Sequence, residues 1–157
     1  MKLPIQLNSK AQLSEHFTLG EFTKSENHPE VYNIPTHEAI ANLKRLCQWL
    51  EVLRKRYNER YGHAEPVVIN SGYRSPQLNR KVGGEPTSNH LTGCAADIRV
   101  YGKEQLLRYA TILLDYADET HQDFDELLME KNRHNKPWLH FAVRPQGNRR
   151  KTDFMVV

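Results

Sequence analysis

Apolar residues recur at intervals of three and four along two long segments, which predicts two amphipathic helices. The first follows Thr36, a suitable N-cap, and should end near residues 61–62. Its apolar stripe consists of Ile40, Leu43, Leu46, Cys47, Leu50, Leu53 and Tyr57. The second opens at Gly102, and its stripe consists of Leu106, Leu107, Ala110, Leu113, Leu114 and Ala117. Ser75 and Pro76 suit the cap and first position of a short third helix that ends near Lys81.

Shorter apolar segments predict β-strands at residues 66–70, 95–100, 125–130 and 138–143. The polar residues 131–137 should close a hairpin between the last two strands, and residues 144–157 can add an edge strand. The predicted strands and helices are mixed along the chain and do not alternate as regular βαβ units. The predicted fold class is therefore α+β, with a small antiparallel sheet and helices packed on one side.

Length and composition indicate one domain, residues 1–157, with residues 1–35 as an irregular N-terminal segment packed on it. The 38% hydrophobic and 26% charged residues are typical of a soluble globular protein. The net charge of +3 is mild. The basic clusters at 54–60 and 149–151 are typical of solvated surfaces, although a polyanion such as an acidic wall polymer or a nucleic acid would also attract them. We expect no nucleic-acid partner.

Membrane insertion is not expected, because no stretch approaches the roughly 20 apolar residues of a membrane span. The N-terminal residues 1–17 lack the apolar core of a secretory signal, so we expect synthesis in the cytoplasm. The two cysteines, Cys47 and Cys94, are too few for a disulfide framework and are predicted to be core residues.

Candidate metal chemistry is concentrated between residues 88 and 97, where His90 and Asp97 stand on either side of a turn at Gly93. A carboxylate in an otherwise apolar strand needs a partner. A catalytic zinc site uses three protein ligands and keeps one position open. His140 can supply the third ligand from a strand in which Trp138 and His140 share a face.

A hydrolytic metal site would also need a general base, and a carboxylate beside the metal-bound water is the expected one. Glu130 ends the strand that precedes the hairpin and should share a sheet face with His140. Asp125 and Glu126 begin that strand, so we expect them to lie much further from His140; they are the next candidates. Six other histidines are predicted to be ordinary structural or exposed residues: His16, His28, His37, His63, His121 and His134. Alternation along the strand places the side chains of Cys94 and Asp97 on opposite faces, so Cys94 should not be a ligand.

The segment 88–97 fits the pattern S-x-H-x-x-G-x-A-x-D and resembles the zinc D-alanyl-D-alanine peptidases, which include vancomycin-resistance peptidases and phage endolysins. Residues 71–75 (SGYRS) are similar to that family's S-G-[YF]-R-[ST] segment, and residues 138–140 to its W-x-H. Residues 17–22 (FTLGEF) are similar to a segment of its phage-like members. The resemblance covers about residues 14–143. It implies the fold shared with the signalling domain of Hedgehog proteins.

The resemblance also implies roles for individual residues. His90, Asp97 and His140 match the zinc ligands, and Ser88 matches a serine that contacts the substrate backbone. Arg74 matches an arginine that binds substrate and stabilises the oxyanion, and Trp138 is grouped with the substrate-binding residues. From its position alone, Arg74 would be an exposed arginine in a polar turn, whose replacement costs no more than about 0.5 kcal/mol.

One position departs from the family pattern. Many members place the catalytic acid three residues before the last histidine, and here that residue is Pro137. Either Glu130 acts from the neighbouring strand or the protein is not an enzyme.

The sequence predicts a monomeric zinc metallopeptidase acting on peptidoglycan stem peptides at the cell wall. Its motifs are compatible with a D-Ala-D-Ala carboxypeptidase, a dipeptidase and an L-Ala-D-Glu endopeptidase. The alternative is a non-catalytic, zinc-stabilised module that binds wall peptides or a protein partner.

Overall fold

A five-stranded sheet and two long helices form the body of the protein, in a computed structural model that describes residues 8–25 and 27–157. The helices are α1 (Leu19–Thr23), α2 (His37–Tyr61), α3 (Pro76–Lys81) and α4 (Lys103–Thr120), with a 3₁₀ turn at Asn89–Thr92. The strands are β1 (Ile69–Ser71), β2 (Ala95–Arg99), β3 (Glu126–Lys131), β4 (Pro137–Ala142) and β5 (Lys151–Val156). No helix in these described ranges combines the length and apolar composition that crossing a membrane requires.

The helices begin and end where their capping residues predict. The hydroxyl of Thr36 accepts a hydrogen bond from the amide of Ala39 at 3.1 Å, and α2 ends at Gly62 in the left-handed conformation. Ser75 caps α3 in the same way, with Pro76 at the first helical position. The predicted limits of α2 and α3 are therefore confirmed.

The sheet has the strand order β1-β2-β4-β3-β5. The first three pairings are antiparallel, as predicted, but β5 runs parallel to β3. The predicted α+β class is confirmed, but the sheet is mixed and not antiparallel at every pairing. Lys151 and Ala142 both lie beside Glu126. The chain leaves β4, passes the start of β3 and begins β5 at the same end of the sheet, which makes β5 antiparallel to β4 and hence parallel to β3.

Side chains of the sheet alternate between an apolar face and a polar face. The face under α2 and α4 buries Ala96, Ile98, Leu127, Leu139 and Phe141 in the core. The opposite face carries the charged and imidazole groups at Asp97, Glu126, Glu130 and His140. The two long helices pack on one side of the sheet, as predicted, and leave the other side for chemistry.

The N-terminal segment is less irregular than the sequence predicts. Its described part contains the helix α1 and an isolated bridge between Gln12 and Thr18, while residues 1–7 and 26 of the predicted irregular segment lie outside the described residues. Three of its apolar residues lie in the core: Phe17, Leu19 and Phe22.

Gly93 fixes the turn that leads from His90 into β2. Its φ of +75° is unfavourable for other residues, and a β-carbon at this position would lie 2.5 Å from the carbonyl oxygen of Ala39 in α2. The side chain of Asn42 also donates a hydrogen bond of 2.8 Å to the carbonyl of Thr92. The turn is thereby held directly against α2.

Replacing Gly93 by alanine should therefore destabilise the protein twice over. The left-handed conformation costs a non-glycine residue roughly 1–2 kcal/mol, and the clash with α2 adds a further penalty, typically about 1–3 kcal/mol for overpacking. Gly83 has a φ of +73° with no atom near its missing side chain, so Gly83→Ala is a matched control that has only the first cost. Urea denaturation should show the larger loss for Gly93→Ala. Equal losses would contradict close packing of this turn on α2.

Candidate metal centre

His90, Asp97 and His140 meet on the polar face of the sheet. His90 comes from the 3₁₀ turn, while Asp97 and His140 are direct register partners in β2 and β4. Asp97 Oδ1 lies 3.0 Å from His140 Nδ1 and 3.4 Å from His90 Nε2. The candidate ligand atoms all lie within 4.8 Å of one another. Among the described residues, this metal-capable group includes neither Cys94 nor any of the other six histidines.

In His90 and in His140, the ring nitrogen that points away from Asp97 makes a hydrogen bond that orients the ring. His90 Nδ1 lies 2.6 Å from the carbonyl oxygen of Gly72. A carbonyl only accepts, so Nδ1 carries a hydrogen and Nε2 is the nitrogen that faces Asp97. His140 is turned the other way, with Nε2 at 3.0 Å from Glu126 Oε1 and Nδ1 facing Asp97. Two imidazole nitrogens and a carboxylate fit the ligand set of a catalytic metal site. Hydrogen bonds at the second nitrogen of each ring fix its orientation, as in known metal sites.

Mutual electrostatics already favour a cation at this position. Burial alone would raise the pKa of Asp97, but the two histidines hold it well below its usual range. Burial would likewise lower the pKa of His140, yet its hydrogen bonds to Asp97 and Glu126 raise that pKa to about 10. Burial lowers the pKa of His90, although the charge of Asp97 acts in the opposite direction. The metal-free centre therefore holds a proton on His140 where a metal ion would take its place.

Arg74 faces this centre and is not the exposed turn residue that its position alone predicts. Its side chain is only 15% exposed, and Nη2 lies 3.5 Å from Asp97 Oδ2. Its Nε donates to Ser71 Oγ at 3.3 Å and its Nη1 to Asn79 Oδ1 at 3.2 Å. Because the chain turns inward after β1, with the amide of Arg74 bonded to the carbonyl of His90, the guanidinium is fixed beside the candidate ligands.

Two carboxylates flank His140. Leu128 pairs with His140 across β3 and β4, so Glu126 and Glu130 lie two residues to either side on the same face. The expectation that Glu126 lies much further from His140 is wrong, because the register, and not distance from the hairpin loop, decides which residues are neighbours. Glu126 contacts Nε2, whereas Glu130 Oε1 lies 3.7 Å from Nδ1. Of these two glutamates, Glu130 is therefore the one that lies on the side of the His140 ring that faces Asp97 and His90.

Glu130 has a distinctive environment. Its side chain is 12% exposed, and burial raises its pKa to about 7, although the charge of His140 acts in the opposite direction. Trp138 is its register partner in β4 and is half-buried. Ser88 lies at the other side of the centre, where its hydroxyl accepts a hydrogen bond of 3.1 Å from the amide of His90. Ser88 thus helps to position a candidate ligand.

Asn89 and Asp125 support the centre, and sequence reasoning assigned neither of them this role. The amide group of Asn89 donates to Asp125 Oδ2 at 2.7 Å and to Glu126 Oε1 at 2.6 Å. Asp125 is fully buried and accepts two hydrogen bonds from the Arg149 side chain. The two-residue alternation of β3 places Glu126 on the same sheet face as Glu130, so the sequence contained a signal that Glu126 faces the centre. No local pattern distinguished Asn89 from other loop residues.

Metal binding should release a proton from His140. At pH 8 this ring is protonated in the metal-free protein, since its pKa is about 10, while ligation requires the neutral ring. Titrating Zn²⁺ into metal-free protein in buffers of different ionisation enthalpy should show about one proton released per ion bound. His140→Ala should abolish this signal. Binding without proton release would mean that His140 is not a ligand.

Glu126 should contribute to metal affinity without touching the metal. Loss of an outer partner of a ligating histidine typically lowers metal affinity about 10–100-fold. We therefore expect that decrease for Glu126→Ala in a competition assay with a chromogenic chelator, and a smaller decrease for Glu126→Gln, whose carbonyl still accepts. Glu85→Ala removes an exposed carboxylate and is the control. Unchanged affinity in folded Glu126→Ala would contradict this role.

Comparison with known families agrees with this geometry. No curated protein matches the chain. A family model described as Peptidase M15 matches residues 15–132, which include Arg74, His90, Asp97 and Glu130 and end before His140. The match covers most of the chain and confirms the resemblance to the zinc D-alanyl-D-alanine peptidases at the level of the family. The chain belongs to the Peptidase M15 family, a family of metal-dependent peptidases.

Proposed function

We propose that this protein is a zinc metallopeptidase that hydrolyses peptidoglycan stem peptides at the cell wall, as a D-Ala-D-Ala carboxypeptidase or an L-Ala-D-Glu endopeptidase. The observation that carries the proposal is the position of Glu130. Its carboxylate lies 3.7 Å from the metal-facing nitrogen of His140, and Arg74 lies 3.5 Å from the other side of Asp97. A base and a cation thus stand on either side of one metal-capable group.

Zinc is the metal that this donor set favours. Imidazole nitrogens with one carboxylate oxygen suit zinc, and three protein ligands leave a coordination position open for catalysis. Calcium and magnesium prefer sites built from oxygen ligands. His90 would bind through Nε2 and His140 through Nδ1, because Gly72 and Glu126 occupy their other nitrogens.

When bound, zinc supplies Lewis acidity to the scissile carbonyl and to the attacking water. Glu130 removes a proton from that water and delivers it to the leaving amine, a role that suits a carboxylate with a raised pKa. Arg74 remains charged and donates hydrogen bonds to the developing oxyanion. Its contacts with Ser71 and Asn79 hold it in place before substrate arrives, so little reorganisation is needed.

Two further residues are assigned to substrate binding. Trp138 projects from the polar face beside Glu130, where its ring can pack against a peptide. Ser88 lies in the turn before His90 and can contact the peptide backbone. Neither residue belongs to the metal-capable group itself, so both side chains can also contact the substrate.

The binding-module alternative rests on Pro137, which occupies the position of the catalytic acid in many family members and cannot act. That alternative would be favoured by a Glu130 held in an ion pair away from the metal-capable group. Glu130 instead faces His140 Nδ1, with Arg74 among the charges that act on it. This position of Glu130 favours the peptidase over the binding module.

Purified sacculi provide the most direct test of the substrate. Zinc-loaded protein should release soluble fragments, and their masses should identify the cleaved bond, since removal of a terminal D-alanine and cleavage after L-alanine give different products. Metal-free protein and zinc-treated His140→Ala are the controls. A folded, zinc-loaded protein that binds sacculi and releases nothing would favour the binding module.

Replacement of Glu130 separates catalysis from metal binding. General-base catalysis contributes about 10²–10⁴ in rate, so Glu130→Gln should lower kcat by that factor while the fold and zinc content are kept. Glu59→Gln, at an exposed position of α2, is the matched control and should keep full activity. Zinc content is measured by metal analysis of the same sample. Full activity in zinc-loaded Glu130→Gln would assign the base to another residue.

A further inference from the structure

Asn33, a buried residue of the N-terminal segment, holds the backbone on both sides of Arg74. Its side-chain amide group donates to the carbonyl oxygen of Tyr73 at 3.0 Å, and its Oδ1 accepts from the backbone amide of Ser75 at 2.7 Å. These two groups belong to the two peptide bonds that flank Arg74. A single side chain thus fixes the stretch of backbone from which the guanidinium projects.

A third hydrogen bond anchors the carboxamide of Asn33 within the N-terminal segment. Its Nδ2 also donates to the carbonyl oxygen of Thr23, the last residue of α1, at 2.9 Å. Two carbonyl acceptors and one amide donor fix the orientation of the carboxamide, and a carboxylate or a hydroxyl could not satisfy all three partners. Asn33 is only 8% exposed, so a lost partner would leave a buried polar group unsatisfied.

The N-terminal segment also touches residues 72–75 through its backbone. The carbonyl oxygen of Phe22 accepts a hydrogen bond of 2.7 Å from the amide of Tyr73. A β-carbon at Gly72 would lie 2.7 Å from the same oxygen, so the two stretches of backbone are in direct contact. The turn that carries Arg74 therefore depends on the N-terminal segment for its position.

The guanidinium itself is held less tightly than the backbone beneath it. Its hydrogen bonds to Ser71 and Asn79 measure 3.3 Å and 3.2 Å, longer than the usual distance of about 2.9–3.0 Å. Because the side chain of Arg74 is long, a small rotation of its backbone moves the guanidinium further than it moves the α-carbon. A misplacement of about 1 Å can lower a catalysed rate about 100-fold.

We infer that Asn33 is a positioning residue for Arg74, which makes the N-terminal segment part of the active site. This inference rests on the proposed peptidase function, in which Arg74 stabilises the developing oxyanion. Asn33 acts through the backbone of Arg74 and not by contact with the reacting atoms. Its loss should weaken stabilisation of the transition state more than binding of the substrate, so kcat should fall while KM changes little.

The test uses zinc-loaded protein and a synthetic stem pentapeptide, which contains both an L-Ala-D-Glu bond and a terminal D-Ala-D-Ala bond. Asn33→Ala should lower kcat about 100-fold and keep the zinc affinity of the parent protein. Asn58→Ala is the matched control, because the side chain of Asn58 in α2 likewise donates to and accepts from the backbone, at Glu65, with distances of 2.9 Å and 3.2 Å. This control should lose stability in urea and keep its kcat.

A double-mutant cycle separates positioning from a merely structural role. If Asn33 acts through Arg74, then Asn33→Ala should have no further effect on kcat in protein that already carries Arg74→Ala. Independent, additive losses from the two replacements would overturn the inference. Asn33→Ser retains one hydrogen-bonding group and takes the place of Asn33→Ala in every measurement if the alanine variant does not fold.

A second readout does not depend on hydrolysis. The Nε–H of Arg74 donates to Ser71 Oγ, so in ¹H–¹⁵N spectra of the zinc-loaded protein it should give a signal that exchanges slowly with water. The absence of this signal from Arg74→Lys assigns it. Asn33→Ala should shift the signal and accelerate its exchange, whereas Asn58→Ala should leave it unchanged.

The outcomes separate this inference from the proposed function. Full kcat in folded Asn33→Ala, or a loss of activity explained by weaker zinc binding, would overturn the positioning role while the peptidase stands. If the parent protein does not cleave the pentapeptide, the proposed function fails and the Arg74 signal decides. A signal that changes in Asn33→Ala would support the positioning role, and an unchanged signal would overturn it.

Discussion

The pairing of β2 with β4 is the constraint on which the rest of the site depends. It sets Asp97 directly opposite His140, with their ligand atoms 3.0 Å apart. The opposite face of the same two strands buries Ile98, Leu139 and Phe141 beneath α2 and α4. A slip of one residue would expose that core face and bury the charged one, so the hydrophobic packing also holds the register of the candidate ligands.

The same alternation gives two chemically similar carboxylates different positions. Glu126 and Glu130 are both neighbours of His140, one at each ring nitrogen. The carboxylate at Nε2 can orient the ring, while the one at Nδ1 faces the metal-capable group and can exchange protons there. Environment separates them further, since the pKa of Glu126 is lowered by its contact with His140 despite its burial, whereas burial raises the pKa of Glu130.

Hydrogen bonds compensate the burial of Asp125, the carboxylate beside the start of β3. Asp125 is fully buried, a costly position for a carboxylate without partners. Hydrogen bonds from Asn89 and Arg149 satisfy it and lower its pKa to about 2, against the effect of burial. Because Asn89 also holds Glu126, one network extends from the C-terminal arginines to His140. The segment after β4 thus supports the centre through Arg144 and Arg149.

The sequence by itself determined the helices α2, α3 and α4, four of the strands and the two faces of the sheet, because these follow from local periodicity and capping residues such as Thr36 and Ser75. Its motifs also identified the family and the trio His90, Asp97 and His140. Only the tertiary structure decided what depends on register and on chain crossings. These are the parallel pairing of β5, the contact of Glu126 with His140 and the inward position of Arg74. Neighbours across a sheet are set by how whole strands align to bury their apolar faces, and no local pattern in the sequence records that alignment.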